Sequence, residues 1–179
     1  MIIGIAGHAR HGKDTTADFI VKHYAYKKHA FADVMKEACR VIFGWTDEHL
    51  YGSLKDVVDP EFGISPRHAL QSIGTEWGQL ELAKHDAFAS VTGRGLWASS
   101  LLRRVRGDVV ISDVRFPHEA EAIRARGGTV ILVRRNYPVD LSHASERAVD
   151  QIKSDYTIHN FGTLVDLEYQ TCELLANLI

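Results

Sequence analysis

The stretch Ile2-Ile3-Gly4-Ile5-Ala6-Gly7-His8-Ala9-Arg10-His11-Gly12-Lys13-Asp14-Thr15 decides how the chain is read. Its first five residues form a continuous apolar run, as expected of a strand covered on both faces. A helix pattern follows, with Ala17, Ile20, Val21 and Tyr24 on one side. Between them lies G-x-x-x-x-G-K, and strand, glycine loop, helix is the context that motif needs. The glycines let successive backbone N–H groups turn inward around a phosphate, and the helix N-terminus adds partial positive charge. Lys13 is then placed to reach β- and γ-phosphates. A plain glycine turn with an exposed lysine is the competing reading, and the flanks disfavour it.

The slot after the lysine usually holds Ser or Thr, to ligate Mg²⁺. Here it holds Asp14, and the hydroxyl comes one place later at Thr15. A carboxylate beside phosphate charges needs Mg²⁺ or a cationic partner nearby. A helix cap is the structural alternative for Asp14. Further on, Val109-Val110-Ile111-Ser112-Asp113 is an apolar strand ending in an acid, where a second metal-organising carboxylate usually stands. Asp14 and Asp113 are therefore the expected metal ligands. Arg115 follows at the carboxyl end of the same strand, where open α/β sheets bind ligands.

Working outward, strands and helices alternate. Lys28 to Phe31 reads as a second short strand, and Asp33 as the N-cap of a helix turning Val34, Ala38, Val41 and Ile42 inward, with Gly44 past its end. Ser65-Pro66 opens a helix carrying Ala69, Leu70 and Ile73. A helix from about Leu96 to Val105 precedes the strand at Val109, and Pro117 begins another that stops at Gly127-Gly128. Thr129 to Val133 and Tyr156 to His159 read as strands, and Leu164, Leu167, Thr171, Leu174 and Leu178 as the inner side of a last helix. This alternation predicts an α/β fold with a parallel sheet.

The 179 residues suit one domain, and 45% apolar with 25% charged residues is an ordinary globular mixture. A formal charge of −2 gives no strongly basic body for a nucleic-acid backbone. The opening apolar run is too short for a membrane span and lacks a signal peptide's basic region, so a cytoplasmic protein is expected. Cys39 and Cys172 match no metal or redox spacing and read as buried free thiols. No Asn-Lys-x-Asp sequence occurs, which disfavours a GTPase, and a small metabolite kinase fits best.

The blocks also resemble a family in their order. Gly7 to Thr15, Phe31-Ala32-Asp33 with Lys36, Ser65-Pro66-Arg67 through Gln71 and Gly74-Thr75-Glu76, Asp113-Val114-Arg115-Phe116-Pro117, His143-Ala144-Ser145-Glu146 and Asn160 to Leu164 resemble the deoxynucleoside monophosphate kinases of tailed bacteriophages, within the P-loop nucleotide kinase group. The Lys-Asp-Thr variant is typical of that family. The resemblance implies a three-layer α/β/α P-loop domain over residues 1–179, with an acceptor-binding segment at about 33–76 and a lid at about 134–150. It implies transfer of the ATP γ-phosphate, with Mg²⁺, to a deoxynucleoside 5′-monophosphate. ATP would be held by Gly7, Arg10, His11, Gly12, Lys13, Asp14, Thr15, Thr16 and Asn160. The acceptor would be held by Asp33, Lys36, Arg67, Gln71, Thr75, Trp97, Asp113, Arg115 and Glu146.

Among these, Arg67 offers a bidentate fork to a phosphate, and Gln71 on the same helix side can meet a base edge. Arg134 and Arg135 would cover the transferring group, with Lys13 and Asp14 completing the catalytic set. Trp97 could stack on a base, although a core role competes. Glu146 and His143 could instead pin a closed lid. A dephospho-coenzyme A or sugar kinase and a non-catalytic nucleotide-binding regulator are the alternatives. No nucleic-acid or membrane partner is expected, a homodimer stays open, and phage origin would place the protein in the host cytoplasm.

Overall fold

The computed structural model describes every residue except His143, and Val91 by its backbone alone. In chain order its elements are β1 (Ile2–Ala6), α1 (Lys13–Tyr24), β2 (Lys27–His29), α2 (Phe31–Phe43), α3 (Asp47–Leu50), α4 (Pro66–Gln71), α5 (Asp86–Val91), α6 (Leu96–Arg104), β3 (Val109–Val114), α7 (Pro117–Arg124), β4 (Thr129–Arg134), α8 (Ala144–Val149), β5 (Tyr156–His159) and α9 (Leu164–Ala176). A π-helix, Ser72–Glu81, continues α4. The chain divides into two compact units, Met1–Ala30 with Arg104–Ile179, and Phe31–Arg103.

The first unit carries a five-stranded sheet in the order β2-β3-β1-β4-β5. Every pairing is parallel. Parallel neighbours require crossovers, and the helices that make them cover the sheet on both sides. That is why the strand runs are apolar without alternation: Ile3, Ile5, Val109, Val110, Ile111, Val130, Ile131 and Val133 are all fully buried. Ile3, Ile5, Val110, Ile131 and Ile158 pack with Ala17 and Ile20 of α1 and Leu167 and Leu175 of α9. Gly4 alternates to the opposite face, where its Cα looks onto Ile123 of α7. The result is the expected three-layer α/β/α arrangement. Several sequence expectations shift: Val21 and Leu164 are exposed, at 37% and 62%, Cys172 is only half-buried, and the second strand ends at His29 rather than reaching Phe31.

The second unit is helical, with a core of Met35, Cys39, Trp45, Leu50, Ala69 and Leu70. Its first helix differs from the sequence reading. α2 starts at Phe31, so Asp33 lies inside the first turn rather than capping it. The buried row is Phe31, Met35 and Cys39, spaced four apart, while Val41 and Ile42 face solvent. Ser65 caps α4 as expected, its Oγ accepting the His68 N–H at 3.3 Å, with Pro66 as the first helical residue. The π-helix accommodates Trp97, whose Nε1 donates to the Gly74 carbonyl at 2.8 Å and whose ring lies against Gly78.

Candidate active site

The loop between β1 and α1 is built on backbone conformations that few residues adopt. Gly7 has φ +148°, and a Cβ there would stand 2.6 Å from the Val133 carbonyl oxygen of the neighbouring strand. Gly12 has φ +104°, and a Cβ there would stand 2.7 Å from Asn160 Nδ2. Arg10 takes a left-handed φ of 63° between them. Asn160, buried just past β5, donates from Nδ2 to the His11 carbonyl at 3.0 Å, and its own N–H donates to the Arg134 carbonyl. Loop, β4 and β5 are thereby fixed to one another.

Lys13 is buried, and its Nζ donates to the His8 carbonyl at 2.8 Å. Burial, then the neighbouring Arg115 guanidinium, pushes its pKa down to about 8. A cationic amine held this way has an unmet demand for an anion. The adjacent cavity, of about 320 Å³, is lined by Arg10, Gly12, Lys13, Asp14, Thr15, Arg135 and Asn160, together with the residues 162–164 that lead into α9. Seven of the predicted nucleotide and catalytic residues thus meet at one opening. Thr16 does not join them: it is fully buried, with its hydroxyl donating to the Gly12 carbonyl. His11 is buried behind the loop. Its Nδ1 accepts the Arg135 N–H at 3.3 Å, and burial followed by the proximity of His8 lowers its pKa.

Asp14 lies in the first turn of α1, after the Gly12 cap, and makes no cap of its own. Its Oδ1 is 3.1 Å from Lys28 Nζ, and Lys28 also meets Asp18 at 2.9 Å. Against burial, which pushes it up, the Lys28 ammonium and the Ser112 hydroxyl hold the Asp14 carboxyl below its ordinary value. Ser112 and Asp113 lie near the carboxyl end of β3, which packs against α1, so the two predicted metal-organising carboxylates lie on neighbouring elements. Sequence reasoning missed Lys28, whose only signal was a polar residue in a short edge strand.

Beyond β3, the Arg115 Nη1 stands 3.6 Å from Glu146 Oε1. Glu119 of α7 accepts the Arg115 and Phe116 N–H groups at 2.8 and 3.1 Å. Burial, then Asp113, raises its pKa to about 8. Glu146 is buried against the loop, accepting the Ala9 N–H at 3.0 Å. Arg134 is exposed at the end of β4, and Arg10 donates to the Tyr137 hydroxyl at 2.8 Å. His143 lies outside the described residues.

In the second unit, Arg67 forks onto Asp56, with Nη2 to Oδ2 at 3.0 Å and a second bond from Nε. Lys36 Nζ lies 3.8 Å over the Tyr51 ring. Gln71 ends α4, Thr75 lies on the π-helix, and Trp97 is half-buried with its indole N–H committed to Gly74.

Residues 67–171 match the model of the deoxynucleotide monophosphate kinase family. A protein of Acanthamoeba polyphaga mimivirus, provisionally named a deoxynucleotide monophosphate kinase, is 30% identical over 187 residues, spanning 99% of this chain and 97% of its own. The chain belongs to the deoxynucleotide monophosphate kinase family. It is a phosphotransferase of the nucleotide kinase type, and its substrates are small nucleotides. The chain also resembles shikimate kinase from Aquifex aeolicus and dephospho-CoA kinase from Campylobacter jejuni. Each is 14% identical with a TM-score of 0.49, over 99% of this chain and 96% of the other. Among the described residues, no helix is long and apolar enough to cross a membrane.

Proposed function

We propose that this kinase transfers the γ-phosphoryl group of ATP to a deoxynucleoside 5′-monophosphate, yielding the diphosphate. The observation that carries this reading is Lys13, a buried amine at the mouth of a loop with two left-handed glycines, beside a second cation at Arg115. Two neighbouring cations beside a glycine loop at a helix start suit a polyphosphate better than any neutral ligand.

Asp14 and Asp113 offer hard oxygen donors of the kind Mg²⁺ takes, usually one or two carboxylates with waters and substrate phosphates completing the shell. They fit the ion. When bound it would neutralise charge on the phosphates. The chain's own residues then divide the remaining work. The loop N–H groups not already held within the protein and Lys13, whose ammonium has three donors and keeps one on the His8 carbonyl, bind the β- and γ-phosphates. Thr15 adds a hydroxyl at the cavity. Arg10 and Arg135 border the nucleotide, and Asn160 holds the loop beside it. Arg134, Arg135 and Arg115 offset charge on the transferring group. In-line transfer then needs little beyond positioning and neutralisation.

For the acceptor we assign the segment 33–76, with the Arg67 fork exchanging Asp56 for the monophosphate, Lys36, Asp33 and Thr75 beside it, and Gln71 and Trp97 toward the base. Residues 134–150 would form the lid. Both segments belong to one kinase domain, in a cytoplasmic setting where ATP and deoxynucleotides occur. The test is incubation of the enzyme and ATP-Mg²⁺ with the four common deoxynucleoside monophosphates, dephospho-coenzyme A and a hexose. Diphosphate formation from at least one deoxynucleotide is expected. Transfer only to dephospho-coenzyme A or the sugar would overturn the assignment.

A further inference from the structure

His8 touches both cations of the site, one directly and one through a carboxylate. Its backbone carbonyl accepts Lys13 Nζ at 2.8 Å. Its ring nitrogen Nδ1 lies 3.1 Å from Glu146 Oε2, and the other oxygen of Glu146 faces Arg115 Nη1 at 3.6 Å. The second ring nitrogen, Nε2, lies 3.0 Å from Asp150 Oδ1. Glu146 and Asp150 are four residues apart, so α8 and the residue just past it present both carboxylates on one side. The two ring nitrogens of His8 thus face two carboxylates on opposite edges of the ring.

Glu146 is committed as fully. Its Oε2 accepts both the His8 ring and the Ala9 N–H, and the residue is only 7% exposed. Although burial pushes its pKa up, the Ala9 N–H, His8 and Arg115 hold it below the ordinary range, so it remains a carboxylate. A buried carboxylate gripping three groups from the loop and the end of β3 has little capacity left for a substrate.

We infer that His8 and Glu146 are positioning residues: His8 fixes Lys13 through its carbonyl and Arg115 through Glu146, and so sets the spacing of the two cations that meet the transferring phosphoryl group. Asp150 steadies the outer edge of the imidazole. The inference rests on the phosphoryl-transfer reading above, and it gives α8 a defined role, as the anchor of Arg115 rather than as a substrate ligand.

The test is a mutant cycle read by kcat, KM and thermal melting. His8→Ala and Glu146→Gln should each lower kcat by about tenfold or more, and Asp150→Asn by less, with KM for ATP changing by no more than about threefold. In an Arg115→Ala background, His8→Ala should cost less than about twofold further, because the ring acts through Glu146 on Arg115 and the His8 carbonyl on Lys13 is kept in both variants. Independent, multiplicative losses, or unchanged kcat in the single variants, would overturn the inference. A second readout needs no acceptor. Exchange of the Ala9 amide, followed by NMR, should quicken by about tenfold or more in Glu146→Ala, and unchanged exchange would also overturn it. An unmutated enzyme that phosphorylates no acceptor would defeat the functional proposal alone, and Ala9 exchange would then decide the linkage by itself.

Discussion

Lys28 Nζ, on the edge strand β2, stands 3.1 Å from Asp14 Oδ1 at the start of α1. The acid that replaces the usual hydroxyl of the phosphate loop therefore has its own cation from a neighbouring element. Asp14 is not a helix cap, since Gly12 holds that position. Asp14→Asn preserves shape and removes charge. It should leave melting unchanged and lower kcat by roughly a hundredfold, the worth of one charge-assisted contact made at the transition state. Lys28→Met should lower kcat in the same direction by a smaller factor, about tenfold, since it frees Asp14 without removing it. Thermal melting and kcat on the same preparations check both.

The loop and its flanks were legible because a buried strand, left-handed glycines and a helix start leave local marks. Asn160 entered only through the family resemblance, and its bond to the His11 carbonyl depends on β5 lying beside the loop. What escaped depended on partners distant in sequence. Lys28 is ordinary until α1 places Asp14 and Asp18 beside it, and His8 is one of ten scattered histidines until α8 brings Glu146 and Asp150 to its ring. In α2, apolar residues occupy more than one side, so Val41 and Ile42 competed with Met35 and Cys39. Only packing against α4 and the π-helix selects the second pair. The π-helix follows from Trp97 docking on Gly74 and Gly78, which local propensity does not register.

Lys13 should give the protein a distinctive alkaline response. Its pKa is about 8 in the fold against 10.5 in the unfolded chain, so between those values the unfolded state binds more protons. Stability from this group therefore rises with pH across about 8 to 10.5, and the cost of burying the charge is fully present below 8. That net cost is on the order of 3 kcal/mol. Lys13→Met should accordingly be at least as stable as the unmutated chain at pH 7, with the difference shrinking above pH 8. Urea denaturation at pH 7, 8.5 and 10 measures it. ATP affinity should fall above pH 8 in the unmutated enzyme as the amine loses its proton, and that slope should be absent in the variant.

Glu119 predicts the opposite slope at lower pH. Burial raises its pKa from 4.5 to about 8, so the folded state keeps a proton that the unfolded chain has released. Its contribution is intact below about 4.5 and is lost as pH rises toward 8, by a few kcal/mol. Glu119→Gln keeps an acceptor for the Arg115 and Phe116 N–H groups without the titration. Relative to that variant, the unmutated protein should lose stability between pH 5 and pH 8.5 in paired denaturation curves. Parallel curves across that range would contradict the buried, protonated state.

The proposed function requires that transfer take place at the loop Gly7–Thr15 with Lys13 as its cation. The most direct measurement follows label from γ-labelled ATP into a deoxynucleoside diphosphate, for the unmutated enzyme and for Lys13→Met in parallel, with melting recorded on both. The expected result is label in the diphosphate for the former and a loss of at least about a thousandfold for the latter, at equal or higher melting temperature. A folded Lys13→Met protein that transfers label at a near-normal rate would contradict the claim.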